Sequence, residues 1–275
     1  AGIISGTGTL AMTNSGTVSL TGANTFSGGV TVNQGTLVLD RTGGPALGGA
    51  NAITINNGGI LRTDQAGQIT GGPLVTVESG GTYNLNNNNQ TNALDGAGNV
   101  SLGSATLSIS NTFNDSFSGV ISGSGGLTKV GSGAQTLSGS NTYTGATTIT
   151  EGELALGADD VIDDASAVTV NGGTFDLGAR AETLHSISMS SGDLQRGGGI
   201  LALDNASSFT GGTVTLSAGA SEIETAGTTT LGDVSFNYSS GSGNNNALVL
   251  GGGLSVNAST TANITNGGGG AVRLN

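Results

Sequence analysis

The 275-residue chain contains no cysteine and no tryptophan, and it has only 2 prolines and 9% charged residues. The absence of cysteine excludes disulfide bonds, thiol chemistry and cysteine-ligated metal sites. No apolar run reaches the length of about 18 residues that a membrane-spanning helix needs. We therefore expect this segment not to insert into a membrane.

Basic residues are also scarce, since 6 Lys and Arg stand against 18 Asp and Glu and give a formal net charge of −12. Nucleic acids are held mainly by clustered Lys and Arg side chains. Lys129 and the five arginines are scattered along the sequence and form no such cluster. We expect no nucleic-acid partner.

What the chain does contain is 53 glycines and many short apolar runs of period two, such as residues 30–32, 53–55 and 168–170. Alternation of this kind is typical of β-strands, and the intervening Asn and Gly residues favour turns. Disordered chains are usually poorer in Val, Ile and Leu than this one, so we favour a folded all-β protein. The best helix candidate is the short segment 158–165.

A 36-residue segment occurs twice, at residues 4–39 and 121–156, with a constant offset of 117 and no insertion. Sixteen of the 36 positions are identical, and they include a glycine-rich opening, an Asn-Thr pair and a closing Gly-x-Leu-x-Leu. Self-similarity at fixed spacing is typical of solenoids, in which each unit stacks on its neighbours. A sandwich or a barrel has no reason to reuse such a pattern.

The repeat therefore predicts a parallel β-solenoid, or β-helix, that occupies residues 1–275 as one continuous domain. With about three strands per coil, an offset of 117 corresponds to about five coils, and the whole chain to about 11–13 coils. Aliphatic residues such as Leu37 and Leu39 are expected to point inward. The polar segments 84–92 and 241–246 are predicted to be loops.

Residues 117–131, 137–145 and 152–154 resemble the passenger-associated transport repeat, also described as the autotransporter-associated β-strand repeat, of bacterial autotransporters and giant surface adhesins. In the first copy, Met12 and Asn14 stand where the pattern favours Lys and Gly, and beyond residue 190 only the style of the sequence persists. The resemblance implies a right-handed parallel β-helix displayed at a bacterial cell surface or outside the cell. Many members of this family are adhesins or scaffolds.

The densest acidic cluster consists of Asp159, Asp160, Asp163 and Asp164. It could bind calcium or provide a carboxylate pair for polysaccharide cleavage, with His185 or an arginine as a helper. Adjacent Asp residues on a strand face opposite ways, and the spacing of a calcium loop is absent, so a solvated turn is the favoured interpretation. We expect no catalytic residue, no cofactor and no bound metal.

The two ends of a solenoid expose strand edges that normally need a cap, and neither end of this sequence shows one. Ile3, Ile4, Val272 and Leu274 are the candidate stacking ends. The leading hypothesis is a non-catalytic extracellular structural segment of a bacterial surface adhesin or fibre, which either associates with itself end to end or continues in a longer chain. The alternatives are a polysaccharide lyase or hydrolase of the β-helix type and a module that binds a glycan or another cell-surface ligand.

Overall fold

A computed structural model describes residues 2–49, 52–69, 73–217, 221–238, 247–251, 253–256, 263–266 and 271–274. It divides into two compact units, Ala1–Gly145 and Ala146–Asn275. Both are built from short parallel strands, and the described residues contain no helix. The all-β, parallel β-solenoid prediction is therefore confirmed.

Three ladders of parallel strands make up the first unit. The first contains β1 (Leu10–Met12), β3 (Val30–Val32), β5 (Ala52–Ile55), β7 (Leu74–Val77), β10 (Ala93–Gly96), β13 (Asp115–Phe117) and β16 (Ala134–Leu137). The second contains β2 (Thr17–Leu20), β4 (Gly35–Leu39), β6 (Gly59–Thr63), β8 (Thr82–Leu85), β11 (Asn99–Ser101), β14 (Val120–Gly123) and β17 (Thr142–Tyr143). The third contains β9 (Asn89–Thr91), β12 (Leu107–Ile109) and β15 (Leu127–Lys129). Single parallel bridges join Asn24, Leu47 and Ile69, one in each of the first three turns.

Three ladders also form the second unit. The first contains β18 (Thr147–Ile149), the opening halves of β20 (Ala167–Asp176), β22 (Ser186–Arg196), β24 (Ser207–Leu216) and β26 (Thr228–Tyr238), and β28 (Gly253–Val256). The second contains β19 (Glu153–Leu156), the closing halves of those four long strands, and β29 (Asn263–Asn266). The third contains β21 (Glu182–Leu184), β23 (Ile200–Leu203), β25 (Glu222–Thr225), β27 (Ala247–Leu250) and β30 (Ala271–Leu274).

The first ladder of the first unit holds seven strands, and the first ladder of the second unit holds six. These numbers agree with the predicted 11–13 coils of three strands. Successive turns have unequal lengths, because Leu10 pairs with Val30 while Val30 pairs with Ile53. The strands therefore stay in register while the corner loops absorb the differences in length. Long strands such as β20 bend at a corner, where the register shifts on either side of Asn171.

The core of each unit follows the period-two pattern of the sequence. In β5, for example, Ile53 and Ile55 are buried while Ala52 and Thr54 are partly exposed. Leu37 and Leu39 are also fully buried, as the repeat predicted. Alternate residues of a strand point to opposite faces, so the apolar half of each strand lines the interior.

Two local predictions need correction. Segment 158–165 forms bends and turns instead of a helix. The loop predicted at 84–92 is limited to residues 86–88, since β8 ends at Leu85 and β9 begins at Asn89. The second predicted loop, 241–246, lies outside the described residues.

The two repeat copies do not lie on the same ladders. In the first copy β1 belongs to the first ladder and β2 to the second, whereas the equivalent strands β15 and β16 belong to the third and the first. When the register is followed from strand to strand, five turns of the solenoid lead from Leu10 to Asp115. An offset of 117 residues therefore corresponds to five turns plus one further strand. The motif thus specifies a local coil and can begin on different faces of the solenoid.

Candidate functional site

The feature that the two copies share is a set of contacts that stack one turn on the next. The side-chain Oδ1 of Asn24 accepts a hydrogen bond from the backbone N–H of Ile4 at 2.9 Å. In the second copy, Oδ1 of Asn141 accepts one from Ile121 at 2.8 Å. Both asparagines are buried and sit 20 residues after their donors. An Asn amide therefore replaces a backbone carbonyl at the same corner of each copy.

Glycine pairs complete these contacts, because two backbones approach too closely for a side chain. A Cβ atom at Gly22 would collide with the carbonyl oxygen of Gly2, and one at Gly139 with that of Gly119. The pairs Gly28–Gly8 and Gly145–Gly125 have the same relationship. Close backbone approach of this kind is a standard reason for a glycine requirement. Two of the glycine positions shared by the repeat copies are thus explained by the stacking of turns.

A third stacking device lies in the first ladder, where β13 pairs with β10 at one register position only, Gly96 with Phe117. The buried side chain of Gln135, one turn further on, reaches Leu94 instead. Its Nε2 donates to the carbonyl oxygen of Leu94 at 2.8 Å, and its Oε1 accepts from the N–H of Leu94 at 3.3 Å. One amide side chain therefore stands in for a missing piece of the strand ladder.

The acidic cluster is a turn whose carboxylates largely cap backbone groups. Oδ1 of Asp159 accepts a hydrogen bond from the N–H of Ala181, and Oδ1 of Asp163 accepts one from Ala165, both at 3.0 Å. Asp160 and Asp164 are exposed to solvent. Among the described residues, no group of three or more His, Cys, Asp or Glu is arranged to hold a metal ion.

His185 directly follows β21 and contacts the two neighbouring turns. Its exposed ring Nδ1 is 3.1 Å from the Nδ2 of Asn205, while its backbone N–H donates to the carbonyl of Ser166. Its ring thus contacts an amide in the neighbouring turn.

Beneath the acidic turn the structure places a residue that the sequence analysis did not single out, Glu182. It is buried, and its two carboxylate oxygens accept hydrogen bonds from the N–H groups of Val161 and Ile162 at 2.9 and 2.8 Å. The pKa of Glu182 is raised to about 7, chiefly by burial and also by the charges of Asp160 and Asp164, although the two N–H donors act in the opposite direction. Its position was readable from the sequence, because Glu182 alternates in phase with the buried Leu184.

Arg196 is a second buried charge in the same unit, in phase with the buried Leu194 on β22. Its Nη2 donates to the carbonyl oxygens of Gly198 at 2.8 Å and Arg180 at 3.2 Å. Among the residues that the structure describes, its Nε and Nη1 have no hydrogen-bond partner. Burial lowers the pKa of Arg196 to about 10, while the charge of Glu182 raises it.

The predicted stacking ends are placed as follows. Ile3 and Ile4 precede β1, with 64% and 40% of their surfaces exposed. Val272 and Leu274 lie in β30, in register with Leu248 and Leu250 of β27. The side chains of Val272 and Leu274 are outside the described part of the chain.

The short loop at residues 86–88, within the predicted loop 84–92, is tied to the preceding turn. Nδ2 of Asn86 donates to Oδ1 of Asp64 at 2.7 Å, and Nδ2 of Asn87 donates to the Asp64 carbonyl at 2.9 Å. Arg62 forms a two-pronged pair with the same Asp64 carboxylate, at 2.8 Å for each bond. The pKa of Asp64 is lowered, chiefly because of the hydrogen bond from Arg62. These amides therefore fasten the loop to the solenoid.

Comparison with known proteins supports this view of the repeat. The model of the passenger-associated-transport-repeat family matches residues 5–39, 127–156 and 195–220. The first two ranges coincide with the repeat copies. The third shows that the repeat itself recurs beyond residue 190, so the expectation that only its style persists there was wrong.

The chain is 33% identical over 234 residues to the adhesin BmaC autotransporter of Brucella suis biovar 1 (strain 1330). The alignment covers 82% of this chain but only 6% of that much longer protein. No solved structure matches the chain. Within the described residues, no helix is long and apolar enough to cross a membrane.

The ladders and the repeated stacking contacts define a parallel β-solenoid built from passenger repeats. The chain belongs to the autotransporter passenger adhesins.

Proposed function

We propose that this chain is a non-catalytic structural segment of a surface adhesin, located outside the cell, whose role is to extend the solenoid. The observation that carries this proposal is the recurrence of the same stacking contacts in both repeat copies, through Asn24 and Asn141. Each contact joins one turn to its neighbour. The chain spans only 6% of its curated relative, so the activity of a complete protein is part of the proposal.

The candidate catalytic groups support a non-catalytic role. The carboxylates of Asp159 and Asp163 accept bonds from backbone N–H groups, and the ring of His185 contacts Asn205. General acid–base catalysis needs such groups to converge on one substrate atom. These side chains instead hold the turn and the adjacent strands in place.

The first turn of the solenoid is the surface on which a further turn would stack. Ile3 and Val18 are exposed there, at 64% and 43%. Beside them is a cavity of about 100 Å³ lined by residues that include Ile4, Leu10 and Phe26. Apolar side chains and an available strand edge favour the addition of another coil. We propose that a second copy of this chain, stacked end to end, supplies that coil where no further coil of a longer chain does.

This proposal predicts that the chain self-associates as its concentration rises and that the double variant Ile3→Asp/Val18→Asp remains monomeric. Two buried carboxylates at a stacking interface would carry a large desolvation cost. Sedimentation velocity over a range of concentrations measures the effect. The matched control is Val120→Asp, which places a charge at a partly exposed position on β14, in a turn that already has neighbours. A concentration-independent monomer, or equal loss of association in the control, would refute end-to-end stacking by this surface.

A second candidate function, binding of a glycan, is favoured by Phe113, whose side chain is 77% exposed. The backbone of the corner that carries it is tied to the next turn, because Nδ2 of Asn111 donates to the carbonyl oxygens of Phe113 and Ala134 at 2.8 and 2.6 Å. Oδ1 of Asn114 also accepts a hydrogen bond from the N–H of Ala134 at 3.2 Å. An exposed aromatic ring offers a flat apolar face to a ligand.

If this corner binds a sugar ring, the change Phe113→Ser should abolish glycan-array signals that the native chain gives. The expected loss is tenfold or more in affinity, on the order of 1.4 kcal/mol, because the whole aromatic contact is removed. Val120→Ser is a suitable control, since it also shortens an exposed apolar side chain in the first unit. Signals that persist in Phe113→Ser would place the glycan elsewhere, and an array without signals would count against this function.

A further inference from the structure

The side chain of Glu182, and not its backbone, connects the acidic turn to the third ladder of the second unit. It begins β21, and its two carboxylate oxygens hold the consecutive N–H groups of Val161 and Ile162. Val161 and Ile162 are buried, while Asp160 and Asp164 on either side of them are exposed. The turn therefore inserts an apolar pair into the core, and the carboxylate of Glu182 binds the backbone N–H groups of that pair.

The remaining contacts of this turn lie at its edges. The N–H of Asp160 donates to the carbonyl of Ala181, and that of Ala181 donates to Oδ1 of Asp159, both at 3.0 Å. On the other side, the N–H of Ser166 donates to the carbonyl of Asp163 at 2.8 Å. The hydrogen bonds to Glu182 are the central attachment between these two edges.

The charges that act on Glu182 come from two directions. The negative charges of Asp160 and Asp164 act on it from the turn, and the positive charge of Arg196 acts on it from β22. On β23 the register partner of Glu182 is the apolar Leu201. Within the described residues Arg196 does not form an ion pair with Glu182, since its Nη2 is committed to backbone carbonyls. The ionised carboxylate is thus buried and repelled by two aspartates, and among the described residues it is stabilised by two backbone N–H donors and not by an ion pair.

We propose that Glu182 is a pH-dependent latch, whose protonation sets how tightly the turn at residues 157–166 is held against β21. The geometry supports this role because one buried carboxylate carries two consecutive backbone contacts of an otherwise exposed acidic segment. Acidic conditions neutralise the buried charge and tighten the turn. Alkaline conditions ionise it and loosen the turn.

The direction follows from linkage between protonation and folding. Burial, reinforced by the two aspartates, raises the pKa of Glu182 from 4.5 to about 7. A carboxyl group with a raised pKa in the folded state binds its proton more tightly there than in the open state. Its contribution to stability is therefore fully present below pH 4.5 and is lost as the pH rises through about 7.

The test is amide hydrogen exchange of Val161 and Ile162 in the intact chain at pH 5 and pH 8, corrected for the intrinsic pH dependence of exchange. We expect protection of these two amides to fall by about tenfold or more between the two pH values. In Glu182→Gln, which cannot ionise, protection should be equal at both. Glu224→Gln, which removes an exposed carboxylate on β25, should behave as the native chain does.

Two results would overturn the latch: protection in the native chain that is constant or rises between pH 5 and pH 8, and a pH dependence that survives in Glu182→Gln. If Glu182→Gln fails to fold, the carboxyl carbon of Glu182 in the native chain can be titrated by NMR. A midpoint near 7 supports the proposal, and a midpoint below 5 refutes it.

Discussion

The variant Gly119→Ala should unfold at a much lower denaturant concentration than the native chain, with a loss of about 3 kcal/mol in the free energy of unfolding. A Cβ atom at this corner would collide with the backbone carbonyl of Gly98 in the preceding turn, and it would also press on the ring of Phe117. Gly119 is itself the residue on which Gly139 stacks. Neither turn can move away without breaking ladder hydrogen bonds. Making room for the added methyl group therefore costs stability.

Gly16→Ala is the matched control for this prediction, because nothing lies within 4 Å of a Cβ atom at Gly16 and its backbone conformation is open to other residues. It should change the free energy of unfolding by no more than about 0.5 kcal/mol, and it could slightly stabilise the chain by restricting the unfolded state. Chemical denaturation followed by circular dichroism measures both variants. Equal stability of Gly119→Ala and Gly16→Ala would show that the turns are not closely stacked at the Gly98–Gly119 corner.

The second large effect is expected for Gln135→Met, which should destabilise the chain by about 3 kcal/mol. Methionine has a similar volume but no amide, so the change removes the hydrogen bonds to both the N–H and the carbonyl of Leu94. Leu94 is fully buried and β13 does not pair with it, so water cannot replace the lost partners. A buried backbone group without a partner costs about 1–3 kcal/mol, and here there are two.

Gln90→Met separates this effect from the general consequence of losing a glutamine. Gln90 lies on β9 of the same unit, and its side chain is exposed. We expect this control to be within about 0.5 kcal/mol of the native chain. Equal unfolding midpoints for Gln135→Met and Gln90→Met would mean that the Leu94 contact makes no net contribution.

Much of the fold could be predicted from sequence because the relevant signals are local. Alternation at residues such as Ile53 and Ile55 fixes which side of a strand is apolar, and glycine with asparagine marks the corners. The repeat then indicates stacking, because a coil that cannot bury its apolar face alone needs copies of itself on either side. The same alternation placed Leu37 in the core correctly.

The roles of several polar residues could not be predicted from their immediate neighbours. Gln135 is aligned in the repeat with Val18, and nothing near it in sequence indicates that it bonds to Leu94, 41 positions earlier. The acidic cluster has the highest density of carboxylates in the sequence. The carboxylate that is buried, however, is that of Glu182, which lies one turn further on. Its partners Val161 and Ile162 precede it by 21 and 20 residues in the sequence. This separation depends on the length of the turn, so it cannot be predicted from neighbouring residues.

The repeat shows most clearly what each level decides. The sequence by itself determined that the chain is a stack of parallel coils, since alternation and glycine spacing act over a few residues and recur wherever the motif does. Only the tertiary structure decided on which face each copy begins, and so which ladder contains Leu10 and which contains Leu127. The physical reason is that turns of unequal length accumulate between the copies. The phase of a strand around the solenoid depends on that accumulated length, to which every intervening corner contributes.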